Sequence, residues 1–145
     1  MRASSTALAC LLVAAGSCKA TPDCSLVSSL ESFAGTSAVA CGRVALGSDP
    51  TSANACVIAA VGAGLPFWVA YQLQGIDSEV WRGFAKAATS NTGLSVLWDG
   101  DPSGGSHAGA RIDGTRCGTL GVVENGGHLP ITCIDPAGVG TVCQE

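Results

Sequence analysis

Six cysteines, at positions 24, 41, 56, 117, 133 and 143, set the strongest limit on how this chain can fold. None of them forms a C-x-x-C pair, and the chain has only two histidines, so a zinc site is disfavoured. An even set in an exported chain reads as three disulfides, for which fifteen connectivities exist. The flanking pattern selects among them. Cys41 leaves a short strand and Cys56 enters the second turn of the next helix, so Cys41–Cys56 would pin that helix to a sheet. Cys117 and Cys133 flank "GTLGVVENGGHLPIT", a hairpin whose centre "ENGG" is a turn signal. The remaining pair, Cys24–Cys143, would tie the two ends of the domain together.

Two further cysteines, Cys10 and Cys18, lie in an N-terminal segment of a different kind. "MRASSTALACLLVAAGS" has one Arg, an apolar run from Ala7 to Ala15 and then small residues, the layout of a secretory signal over residues 1–17. The run is shorter than the roughly twenty residues a membrane-spanning helix needs. No later segment qualifies, so a membrane is expected only through an anchor. The segment ends "VAAGSC", which resembles a bacterial lipobox, with Ala15 where Leu is usual. The resemblance implies lipid modification at Cys18, residues 18–23 as a tether, and a single domain over 24–145. It implies an outer-membrane lipoprotein; ordinary cleavage after Ala20, giving a secreted or periplasmic protein, is the alternative. "CVIAAVGAGLPFWVAYQLQGIDSE" resembles uncharacterised exported proteins of the myxobacterial kind. That group carries no assigned activity and so transfers no functional residue.

Removing 17 of the 145 residues leaves 128. A chain of that length buries roughly two thirds of its extended surface on folding, so its core need not rest on disulfides alone. Its net charge is −5, from six Lys/Arg against eleven Asp/Glu. No basic stripe is present, which disfavours nucleic acid as a partner.

"CSLVSSLESFAG" puts Leu26, Val27, Leu30 and Phe33 on one helical face, stopped by Gly35. "SAVACGRVAL" reads as a strand interrupted at Gly42. A second helix opens with Ser48 or Asp49 as its cap and Pro50 in its first turn, and "GAG" ends it. Three strands follow. "PFWVAYQLQG" sets Phe67, Val69, Tyr71 and Leu73 against Trp68, Ala70, Gln72 and Gln74. "EVWRGFAKAAT" and "LSVLW" alternate likewise, joined by "SNTG". "ARIDG", "TLGVVE" and "LPITCI" look like further strands. The order predicts an α+β fold, an antiparallel sheet with one or two helices packed on one face, disulfide-stabilised; an all-β sandwich is the alternative.

Chemistry-bearing candidates gather in "WDGDPSGGSHAG". Asp99, Asp101 and Ser103 stand at positions one, three and five of a loop with Gly104 at six, a spacing that can turn oxygens onto calcium. Position twelve, where a bidentate Glu belongs, is Ala110. Asp, Pro, Ser and Gly also build turns without any ion, and that reading is preferred. "GGSHA" approaches a nucleophile elbow at Ser106 beside His107, but lacks the last glycine and a following helix. His128 sits in a glycine turn. Trp68 and Trp81, on adjacent strands, could form an exposed aromatic binding patch, unless a helix or the C-terminal segment covers them.

The expectation is an exported, lipid-anchored domain that binds or supports within the cell envelope, its partner an envelope protein or a small ligand, with no obligatory cofactor. The competing class is a small hydrolase or calcium-binding module built on the Asp99–His107 loop.

Overall fold

In the computed structural model, residues 24–102, 109–123 and 129–145 are described. Residues 1–17, expected to form a signal segment, and Cys18, Ser103, Ser106, His107 and His128 lie outside them. Helix α1 (Leu26–Ala34) begins at Ser25, whose extended backbone lets its Oγ accept the Ser28 N–H at 3.3 Å. It ends at Gly35, whose φ of 92° is open to glycine. Strand β1 (Val39–Val44) carries a register shift between Ala40 and Gly42, at the glycine expected to interrupt it.

Helix α2 (Thr51–Gly62) is entered through Asp49, whose Oδ1 accepts both the Thr51 hydroxyl (2.6 Å) and its N–H (3.0 Å). Those bonds, the side-chain one foremost, hold the Asp49 carboxyl below its ordinary pKa. At the other end Leu65 N–H reaches Ala60 O and Gly64 N–H reaches Val61 O, with Gly64 at φ 69°. This is the paired closure that "GAG" permits.

The remaining strands are β2 (Phe67–Leu73), β3 (Val80–Lys86), β4 (Gly93–Asp99), β5 (Arg111–Val122) and β6 (Ile131–Gln144). All six form one sheet in chain order. "ARIDG" and "TLGVVE" merge into the single strand β5, and "LPITCI" is the start of a fourteen-residue β6.

The structure bears out a sheet with two helices and alters two details. The sheet is mixed: β1 and β2 run parallel, and only β2 to β6 form an antiparallel meander. A chain that leaves β1, forms a twelve-residue helix and returns makes a crossover, whose product is a parallel pair. The helices also occupy opposite faces. Helix α1 buries Leu26, Leu30 and Ala34 against Trp68, Ala70, Trp81, Ala85, Leu94 and Val96. Helix α2 buries Ala53, Val57 and Ala60 against Phe67, Val69, Tyr71 and Phe84. Strand β2 is therefore covered on both sides, which explains its uninterrupted apolar run "FWVAY".

Gly83 sets how closely α1 approaches. A Cβ there would fall 2.8 Å from both a Leu30 methyl and a Val96 methyl. Disulfides join Cys41 to Cys56, Cys117 to Cys133 and Cys24 to Cys143, the pairs anticipated from the spacing. They suit an oxidising compartment outside the cytoplasm. No helix among the described residues is long and apolar enough to cross a membrane.

Candidate functional site

Helix α1 lies over β2, β3 and β4, leaving the same sheet face open above β5. Two irregularities reshape the strand beyond it. Between the pairs Ile112–Cys143 and Asp113–Thr141, Val142 is an extra residue; between Thr115–Val139 and Arg116–Ala137, Gly138 is another, with φ 62°. Bulges bend a strand and sharpen its twist. The bent β6 forms the far wall of a groove of about 820 Å³, and α1 forms the near wall.

Its apolar lining includes Phe33, Leu94, Ala137 and Val142, and Ser28, Ser29 and Ser32 stand along the helix side. Gly114 contributes the floor: a Cβ there would lie 2.6 Å from a Val142 methyl. One end is clamped, where Cys24 is bonded to Cys143, its N–H donates to Glu145 Oε1 (3.0 Å) and its carbonyl accepts the Trp98 indole N–H (2.9 Å). Toward the other end stands Arg116, the one charged side chain among the described lining residues, its guanidinium 6.0 Å from the centre of the Phe33 ring. Among the described residues no carboxylate forms an ion pair with it. This arrangement can hold an elongated apolar body and one negative charge.

The expected sites fare differently. Trp68 and Trp81 do share a face, but α1 covers them, at 7% and 4% exposure, so the exposed-patch reading is corrected. Leu30 and Ala34 need an apolar surface, and the two indoles supply it. What remains accessible of each meets a small recess: Trp68 beside Ala38 and Ala40, and Trp81 where Arg43 stacks 4.1 Å above the ring and Glu79 accepts its indole N–H at 2.5 Å.

Asp99 lies at the end of β4, where its Oδ1 accepts the Ser78 hydroxyl (2.6 Å) and the Asp101 N–H (3.0 Å). That oxygen closes a turn, the role the loop composition favoured. Ser103, the third calcium candidate, lies outside the described residues. Among those described, no group of three or more His, Cys, Asp or Glu could hold a metal ion.

The opposite face, apolar where α2 packs, also carries a hydrogen-bonded polar network. Tyr71, Arg82, Leu97, Asp113 and Thr141 form one cross-strand row. Tyr71 donates to Asn54 Oδ1 of α2 at 2.8 Å, and burial pushes its phenol pKa up to about 12. Arg82 reaches Ser95 Oγ at 3.4 Å, and desolvation lowers its pKa. Arg111 pairs with Asp113 at 2.9 Å, and Thr141 donates to the same carboxylate at 3.1 Å. This network stitches β5 to β6 and leaves Asp113 occupied.

Comparison with family models, curated proteins and solved structures finds no match. The groove residues were missed by reading along the chain. Phe33 was legible only as helix face, and Arg116 fell between the strand readings "ARIDG" and "TLGVVE" with no role attached. Their meeting depends on contacts across more than eighty positions, which no local pattern records.

Proposed function

We infer that this is an exported domain, anchored to the cell envelope through a lipid on Cys18, that binds a small apolar ligand rather than performing catalysis. The groove between α1 and β6 carries the reading. At about 820 Å³, largely apolar and with a few polar groups at its margins, it falls within the range of small-molecule sites. The three disulfides support export, and the "VAAGSC" ending supports the anchor. A groove fixed at one end by a covalent bond is shaped before its ligand arrives, which lowers the ordering cost of binding.

The test uses a neutral apolar fluorophore, N-phenyl-1-naphthylamine. Its fluorescence should rise saturably with the disulfide-bonded chain. Ser29→Tyr, on the helix rim, should abolish the rise while leaving the melting temperature unchanged. No saturable rise, or a rise indifferent to Ser29→Tyr, would remove the groove from consideration.

A further inference from the structure

We propose that the groove takes an alkyl carboxylate, a single-chain fatty acid whose tail lies between α1 and β6 and whose carboxylate pairs with Arg116. This rests on the groove being a binding site and adds the chemistry of its occupant. Charge complementarity carries it. The whole chain has a net charge of −4, yet among the described residues the one charged side chain lining this apolar groove is a cation. Arg116 stands over the face of Phe33, and among the described residues no carboxylate pairs with it, which leaves its donor fork for a bidentate acceptor. The neighbouring surface offers the tail Leu94, the bare floor at Gly114, and Val142 folded over that floor.

Two other occupants fit less well. An added peptide strand would need a continuous row of backbone groups along the outer edge of β6. Asp135 (φ 51°) and Gly138 (φ 62°) break that row, and two register shifts bend it, the devices that protect sheet edges from pairing. A second copy of this chain would bring net negative charge, and its own Arg116, against the same groove.

The experiment is an amide NMR titration of the exported chain, disulfides intact and carrying Cys18→Ala so that no attached acyl group competes. Dodecanoate and dodecyltrimethylammonium are added below their micelle concentrations, and dodecanol below its solubility limit. Dodecanoate should shift Phe33, Gly114, Arg116 and residues 137–142, and bind about tenfold more tightly than dodecanol, the ratio for one charge-assisted contact. Arg116→Gln should erase that ratio, and Arg116→Lys should restore part of it.

Equal binding of dodecanol, or tighter binding of the ammonium, would overturn the carboxylate assignment and leave the groove reading standing. Failure of all three to move these residues would overturn both. Shifts along β6 that depend on protein concentration alone would assign the groove to a second copy and equally overturn the proposal.

Discussion

Strand β2 and strand β6 belong to one sheet and live in opposite circumstances. From Phe67 to Tyr71, β2 is buried on both faces, by α1 on one side and α2 on the other. From Ile134 to Val142, β6 is almost wholly exposed, with Val139 at 77%. The difference shows where each kind of work is done. The strands between the helices supply cohesion, because every side chain there removes apolar surface from water. The outer strands are held mainly by covalent and polar ties, so they can bulge and leave a groove without unravelling the core.

Removing the clamp should have the largest effect. Cys24 and Cys143 are 119 positions apart, and opening so long a loop costs about 5 kcal/mol in the chain-entropy model. Cys24→Ser with Cys143→Ser should lose stability of that order in urea unfolding and lose fluorophore binding as well. Loss of Cys41–Cys56, with a separation of 15, should cost about 3 kcal/mol and spare binding.

Leu30→Ala comes next. Leu30 is fully buried between Gly83 and the tryptophans, so the truncation should cost about 3 kcal/mol by chemical denaturation. The matching truncation on the open side, Val142→Ala, removes a half-exposed side chain and should stay within about 0.5 kcal/mol.

A pH effect separates the halves in another way. Tyr71 is the only tyrosine, so ultraviolet absorbance reads its phenol alone. Its pKa is raised in the folded state to about 12 from an ordinary 10. The unfolded chain therefore gives up that proton first as pH rises. The stability linked to Tyr71 is full below pH 10 and lost between pH 10 and about 12. Tyr71→Phe should flatten this alkaline limb. It should also cost about 1 kcal/mol near neutrality, because Asn54 Oδ1 loses its donor.

The same division explains what was legible in the sequence. Cohesive elements announce themselves locally. "GAG" closes α2, Gly42 breaks β1, and alternation in "EVWRGFAKAAT" correctly separates Trp81 from Phe84. The cysteine pairs were also within reach, since two of them close short loops and the third is then forced. Placing both helices on one face went astray because each helix's apolar side is local information, whereas the sheet face it meets is not. The doubly buried run "FWVAY" was the available clue, and it was read as simple alternation. The groove left less trace. Its walls are bulges in β6, and what shows Val142 to be an extra residue is the pairing with β5, not the residues beside it.

The most direct test of this division is amide hydrogen exchange on the disulfide-bonded chain, with and without saturating N-phenyl-1-naphthylamine. Amides of β2 and β3 should exchange only through global unfolding and ignore the probe. Residues 137–142 should exchange much faster in the free chain and slow when the probe is bound. Contradiction would come from residues 137–142 already as protected as β2, or from probe-induced protection appearing elsewhere in the sheet.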